Sequence, residues 1–409
     1  MNKCRFCGNE LKYTFADLGM SPLSNSYIPI KDADKGQMTY PLHARICEKC
    51  FLVQLEEFES PEDIFLDYAY FSSYSSSWLA HAKEYVRYMI EAYGVNENFH
   101  VVEIASNDGY LLQYFKEKNI PVLGIEPAKN VAEIARKEKA IPVISEFFGT
   151  NLAKNLRLEG KTANLLIGNN VLAHVPDIND FVQGMKIILA EDGVITMEFP
   201  HLLNLIEQKQ FDTIYHEHFS YLSLKTVQKI FEAHGLKIFD VQELSTHGGS
   251  LRIFSCHTAC EKYPLCDNVK KILTKEKNAG LDTLKTYLNF NDAIRNVKYD
   301  LLSALIQIKR SRKKIIGYGA AAKGNTLLNY CGIRNEFLDF VADKSPHKQN
   351  TLLPGSRIPV CSPEKIIETK PNYVLILPWN LKAEIMSQLA YIREWEGNFI
   401  IPIPEVMIL

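Results

Sequence analysis

Along the first sixty residues the apolar positions show no helical period. They fall in short runs broken by turn formers, as in Met20-Ser21-Pro22-Leu23-Ser24-Asn25 and Tyr40-Pro41, which predicts small strands and loops. From Tyr74 to Tyr93 the pattern changes. Trp78, Ala82, Tyr85, Val86, Met89 and Ile90 recur at three- and four-residue intervals, the mark of a helix with one buried face. Apolar runs at 100–104, 122–125, 141–144, 165–167 and 193–198 then alternate with helical intervals such as 130–139 and 180–189. Strands alternating with helices build a mostly parallel sheet covered on both faces. A stretch from Asp267 to Asp300, rich in Lys, Asn and Asp, reads as exposed linking helices, and further apolar runs at 314–319, 337–343 and 373–377 predict another parallel sheet. The expected fold class is α/β in three parts: a small N-terminal domain over residues 1–70, a Rossmann-like domain over 71–255 and a second Rossmann-like α/β domain over 256–409.

Charge removes one class of function. With 46 Lys+Arg against 48 Asp+Glu in 409 residues, the net charge is -2 and nothing draws the chain to a polyanion, so no nucleic-acid partner is expected. A hydrophobic share of 46% with 23% charged residues excludes a largely disordered chain. No run approaches the ~18 apolar residues of a membrane span, and the start, MNKCRFCGNE, lacks the apolar core of a secretory signal. The expectation is a cytoplasmic protein with no membrane partner, a monomer or a weak homodimer. Nine cysteines in a reducing compartment call for a use other than disulfides. Four of them form two pairs, Cys4-x-x-Cys7 and Cys47-x-x-Cys50. Two such turns supply the four thiolates of a tetrahedral zinc site, and four protein ligands leave no position open for chemistry, so the expected zinc is structural. The 39 residues between the pairs exceed the usual zinc-ribbon spacing.

In the first Rossmann-like domain, Glu103-Ile104-Ala105-Ser106-Asn107-Asp108-Gly109 leads from an apolar strand through small residues into a helix. It is not Gly-x-Gly-x-x-Gly, and its carboxylates would repel a pyrophosphate; an acidic loop suits a cationic or ammonium-bearing ligand. After the next strand comes Gly124-Ile125-Glu126-Pro127, where Glu126 can accept both ribose hydroxyls, and after a third strand come Asn169, Asn170 and Val171. Together the three loops resemble the S-adenosylmethionine site of class I methyltransferases. Beyond a further strand lies Tyr215-His216-Glu217-His218-Phe219-Ser220-Tyr221. Histidine is the natural proton acceptor near neutrality, and a tyrosine hydroxyl can hold a developing enolate oxygen. A catalytic metal would need a third ligand that the sequence does not offer, which favours proton transfer. Thr246-His247-Gly248-Gly249-Ser250-Leu251-Arg252 reads equally as a ligand-contacting loop and as a hairpin turn.

These segments, with Tyr70-Phe71-Ser72-Ser73-Tyr74-Ser75, Asn169-Asn170-Val171-Leu172-Ala173-His174-Val175-Pro176-Asp177 and Gly317-Tyr318-Gly319-Ala320-Ala321-Ala322-Lys323-Gly324-Asn325, occur in an order that resembles the nucleotide-sugar C-methyltransferases of deoxysugar biosynthesis. The likeness spans nearly the whole chain. It implies S-adenosylmethionine as cofactor and a nucleotide sugar as substrate, methylated at carbon 3 of a 4-keto hexose. It also implies roles: His218 removes the carbon-3 proton, Tyr215 and His174 stabilise the enolate, Glu217 orients the histidine, and Tyr70 lies on a flap over the site. His247, Gly248, Gly249, Ser250 and Arg252, with Gly319, Ala320, Lys323, Gly324 and Asn325, are the expected substrate contacts, the last group under the diphosphate. Asp343 keeps an NAD-dependent oxidoreductase open as an alternative, and a non-catalytic zinc-ribbon binding protein is another.

Overall fold

A computed structural model of the chain describes residues 3–60 and 71–409. The N-terminal part holds strands β1 (Tyr13–Ser21), β2 (Ile28–Pro29), β3 (Tyr40–Ile46) and β4 (Val53–Gln54). The middle part holds β5 (Val101–Ile104), β6 (Val122–Ile125), β7 (Val143–Ile144), β8 (Ala163–Asn169), β9 (Leu189–Pro200), β10 (Ser220–Tyr221), β11 (Leu236–Leu244) and β12 (Ser250–His257). The C-terminal part holds β13 (Ile315–Tyr318), β14 (Val341–Ala342), β15 (Thr351–Leu352), β16 (Pro359–Cys361), β17 (Tyr373–Ile376), β18 (Asn398–Ile401) and β19 (Met407–Ile408).

The central sheet runs β11-β12-β9-β8-β5-β6-β7, parallel from β9 to β7 and closed by the antiparallel β11–β12 hairpin. Every residue of β5 and β6 is buried, which is why these strands read as unbroken apolar runs. The helix expected after Tyr74 covers Ser76–Tyr93. Ser75 caps it by accepting the Trp78 amide, Gly94 ends it at φ 65°, and Ala82, Tyr85, Val86 and Met89 face the sheet. The C-terminal sheet, β19-β18-β17-β13-β14-β16-β15-β2, is parallel at its centre.

Two short strands cross the expected domain boundaries. β2 of the N-terminal part pairs with β15 as the edge of the C-terminal sheet, and β10 of the middle part pairs with β4 in the sheet β1-β3-β4-β10. The stretch expected to be exposed linkers is partly core. In the helix Phe290–Arg310 a stripe of Phe290, Ile294, Val297, Leu301, Leu305 and Ile308 is buried, and Phe290 stacks on Phe15 of β1 at 4.5 Å. Lysines and asparagines on the opposite face masked this stripe in the composition. Among the described residues no helix is long and apolar enough to cross a membrane.

Candidate active site

The three expected cofactor loops leave the carboxyl ends of β5, β6 and β8, where the strand order reverses and an α/β sheet opens a crevice. The loop after β5 is bent hard: Ala105 (φ 56°), Asn107 (φ 48°) and Gly109 (φ 75°) all adopt left-handed backbone, which is costly for the two non-glycine residues. A Cβ on Gly109 would lie 2.5 Å from Ile141 Cδ1, so the turn needs glycine. Glu126 holds this loop, its Oε2 accepting from the Asn107 amide at 2.9 Å and its Oε1 from the Ala128 amide at 2.9 Å, just past Pro127. Burial pushes the Glu126 carboxyl up to about 7 against these two bonds. Glu103 is fully buried, and neither oxygen meets a donor in hydrogen-bond geometry, the Tyr110 hydroxyl being the polar group near it. Burial sets its carboxyl well above the usual range. Ser106 Oγ is likewise buried without a partner, and a Cβ on Gly124 would come within 2.4 Å of it.

Asp108 corrects the picture of a uniformly acidic loop. Its Oδ2 accepts from the Ser73 amide at 3.1 Å and its Oδ1 lies 3.6 Å from Lys139 Nζ, while Asn107 Oδ1 takes the Ser72 amide at 3.0 Å. The Ser72–Tyr74 turn is thereby fastened over the loop; Tyr70 itself lies outside the described residues.

Beside this loop runs a row of polar side chains that the sequence reading did not assemble. Arg252 of β12 stands opposite Glu198 of β9 and Gln242 of β11, so strand register places its guanidinium 3.0 Å from Glu198 Oε2 and 3.2 Å from Gln242 Oε1. His81 Nε2 and Thr246 Oγ1 also bond Glu198, at 2.9 and 3.0 Å, and Trp78 stacks on His81 at 4.9 Å. Burial favours the neutral acid, but His81, Arg252 and Thr246 together hold the Glu198 carboxyl below its usual range. Arg252, expected on the substrate, is thus a buried partner of Glu198. A carboxylate inside the apolar run Ile195-Thr196-Met197-Glu198-Phe199 was the signal for this cluster.

The hairpin reading of the glycine loop holds: Thr246–Gly248 is the turn between β11 and β12. His247 Nε2 lies 3.1 Å from Asn170 Nδ2, linking the loop after β8 to the histidines. Gly248 O accepts from Gln210 Nε2 at 2.8 Å, Ser250 Oγ donates to Thr246 O at 3.0 Å, and a Cβ on Gly249 would lie 2.2 Å from Asn204 Nδ2. These three shape the turn rather than line the crevice.

The Tyr215–His218 segment is a turn closed by the His218 amide on Tyr215 O at 2.9 Å. His218 lies against Tyr215, ring centroids 4.0 Å apart, and edge-on to His174 at 4.7 Å. Its Nδ1 sits 2.8 Å from Thr213 O. A carbonyl only accepts, so Nδ1 carries the hydrogen and Nε2 keeps its lone pair. Burial, then the neighbouring His174, His247 and Lys323, push its pKa well below the imidazole norm, and burial takes His174 down to about 4. The lowered pKa favours the neutral ring. His216 faces the other way, buried against Tyr40 and Phe58 with Nε2 3.3 Å from Pro41 O. Glu217 departs from its expected place: its Oε1 accepts from Asn25 Nδ2 at 2.6 Å, and burial raises its carboxyl to about 7. The group that orients His218 is the Thr213 carbonyl.

From the C-terminal sheet, only part of the expected diphosphate turn reaches this centre. Ala320 N donates to Asp343 Oδ2 at 2.6 Å, so a carboxylate of the protein already sits at the amide expected to meet phosphate. The same bond weighs against an NAD diphosphate there. Ala320 O accepts from Lys348 and Tyr27, Gly319 packs on Pro378, Gly324 packs on Leu377, and buried Asn325 donates to Ser24 O at 2.7 Å. Lys323 is the exception. Its ammonium lies 2.8 Å from Asn380 Oδ1 and 4.9 Å from the Trp379 ring centroid, and its charge bears on both His218 and His247. Because a nearby cation disfavours imidazolium, Lys323→Met is expected to raise the His218 pKa. Proton NMR titration of the full-length protein checks this; a pKa that stays or falls contradicts the placement.

The four paired cysteines converge as expected. Cys4 and Cys50 sulfurs lie 3.5 Å apart, Cys7 and Cys47 sulfurs also 3.5 Å, and all four fall within 4.8 Å of one another. Zinc–sulfur bonds of about 2.3 Å in a tetrahedron require sulfurs about 3.8 Å apart, so the cage fits the ion. Each knuckle closes alike, Gly8 N on Cys4 O and Phe51 N on Cys47 O, with left-handed residues Gly8 (φ 70°) and Phe51 (φ 64°) in the same position. Gln54 Nε2 donates to Cys4 Sγ at 3.2 Å, support of the kind that thiolate ligands receive.

Fold and site together define a class I methyltransferase domain set between a zinc-binding head and a second Rossmann-like domain. Family models match in the same order: a zinc-binding domain over residues 4–65, a methyltransferase domain over 78–241 and a C-methyltransferase C-terminal domain over 245–404. The chain is 33% identical over its full length to the C-methyltransferase NovU of Streptomyces niveus, covering 97% of that protein. Among solved structures it is similar to magnesium protoporphyrin IX methyltransferase of Synechocystis PCC 6803, with 12% identity, 44% of this chain, 79% of that one and a TM-score of 0.34. It is also similar to the CcbJ methyltransferase of Streptomyces caelestis, with 10% identity, 44% of this chain, 90% of that one and a TM-score of 0.35. The protein belongs to the C-methyltransferase family, and its four-cysteine cluster is a structural zinc site.

Proposed function

We propose that this enzyme methylates carbon 3 of a 4-keto-deoxyhexose carried on a nucleotide diphosphate, with S-adenosylmethionine as donor. The observation that carries the reading is an imidazole whose tautomer is fixed by Thr213, poised beside Tyr215 and beside His174 of the segment that follows β8. The residues present fit the donor. The loop 105–109 would receive its methionine part, Glu126 its ribose, and Asn169 to Val171 its adenine side, while Glu103, buried with neither oxygen meeting a donor in hydrogen-bond geometry, would ionise only beside a cation such as the donor's. When bound, S-adenosylmethionine supplies an electrophilic methyl group.

A ketone at carbon 4 acidifies the hydrogen on carbon 3. His218 Nε2 takes that proton, and the carbon–hydrogen electron pair passes into an enolate. Tyr215 and His174, ring neighbours of His218, would stabilise the oxygen that becomes negative, and the buried Lys323 ammonium would add positive potential. Glu217 acts on Asn25, keeping the 22–27 loop against the catalytic turn.

The test is incubation of the purified enzyme with S-adenosylmethionine and a panel of 4-keto nucleotide sugars in deuterated water, followed by mass spectrometry. One sugar is expected to gain a methyl group and, without the donor, to take up deuterium at carbon 3. Methyl transfer to an acceptor with no adjacent ketone would overturn the reading.

A further inference from the structure

The turn that aims His218 is gripped from the C-terminal domain. Thr213 O receives His218 Nδ1 at 2.8 Å, and the residues on either side of Thr213 are each bonded from across the domain boundary. Trp379 Nε1 donates to Asp212 Oδ2 at 2.7 Å, and Thr326 Oγ1 donates to Ile214 O at 3.1 Å. Asp212 is fully buried, so its carboxylate has a strong need of the indole donor. Neither Trp379 nor Thr326 is a ring neighbour of His218; those places belong to Tyr215, His174 and Tyr221.

We propose that Trp379 and Thr326 are positioning residues for the base, holding the Asp212–Ile214 turn so that the Thr213 carbonyl keeps His218 in one tautomer and one direction. The inference rests on the proposed role of His218 as proton acceptor. It gives the C-terminal domain a part in the chemistry that no substrate contact accounts for. Trp379 follows β17, which neighbours β13 where the C-terminal strand order reverses, and its ring also carries Lys323, so one side chain joins that crevice to the base. Small displacements of a base are costly: about 1 Å can lower a rate by ~10²-fold.

The test uses full-length Trp379→Phe, Thr326→Val and Asp212→Asn, each verified for zinc content and for affinity toward S-adenosylmethionine. Histidine-selective 15N NMR of the wild type is expected to show the Nδ1–H tautomer at His218. In Trp379→Phe and Thr326→Val that signal should move toward a mixture of tautomers, with kcat reduced about 10- to 100-fold and KM for the donor unchanged. Asp212→Asn keeps an acceptor for the indole and should retain kcat within about threefold. A Thr326→Val protein with the wild-type tautomer and kcat overturns the proposal, even if Trp379→Phe fails to fold. If the wild type methylates no 4-keto sugar, the proposed function fails while the tautomer spectra still decide this inference.

Discussion

His218→Asn is expected to lower methyl transfer by about 10²–10⁴-fold, the usual contribution of a positioned general base. Asparagine keeps a donor for the Thr213 carbonyl but has no lone pair where Nε2 carries one, so the turn survives and the acceptor is lost. Deuterium uptake at carbon 3 should vanish in parallel, since exchange and alkylation share the first proton transfer. Donor affinity by calorimetry should stay at the wild-type value, because the strand-end loops belong to β5, β6 and β8. The sign of the pH dependence follows from the depressed pKa: the wild-type base is neutral at pH 7 and is lost only as the pH falls through that lowered value. Wild-type exchange in the variant would assign the proton to another group.

Removing zinc, by chelation or by Cys50→Ser, is expected to cost more than the stability of the head. Val53 and Gln54, three and four residues beyond Cys50, pair with Tyr221 and Ser220, and the Leu55 amide donates to Phe219 O, immediately after His218. Arg5, inside the first knuckle, donates to Pro176 O at 2.7 Å, close to His174. The metal therefore braces two of the segments that bear the proposed catalytic side chains. Apparent zinc affinities for such sites, about 10–16 kcal/mol, are folding energy as much as binding energy. Activity should fall by at least ~10²-fold, cleavage by protease should appear within the first sixty residues, and restored zinc should reverse the loss of the chelated protein. A zinc-free protein with full turnover, confirmed by metal analysis, would contradict this view.

Much of the central architecture was legible because its strands are buried on both faces and so read as unbroken apolar runs. The crowding of acids, asparagines and histidines at strand ends revealed the loops and the Tyr215–His218 turn for the same reason: polar residues beside a core demand an explanation. Interleaving was not legible. β2 and β10 have two residues each, too few to show a period, and their partners lie far along the chain. The bond between Trp379 and Asp212 spans 167 positions and leaves no local trace. Arg252 and Ala320 looked like ligand contacts from their neighbours in sequence, and only strand register and the position of Asp343 show that protein carboxylates already hold them.

The pairing of Ile28 and Pro29 with Thr351 and Leu352 has a consequence for biosynthesis. Ribosomes add about 5–20 residues per second, so an early segment must wait tens of seconds for its partner strand to emerge. That edge of the C-terminal sheet cannot be completed until Leu352 has emerged, and nascent chains cut short of it would leave the N-terminal head without this pairing.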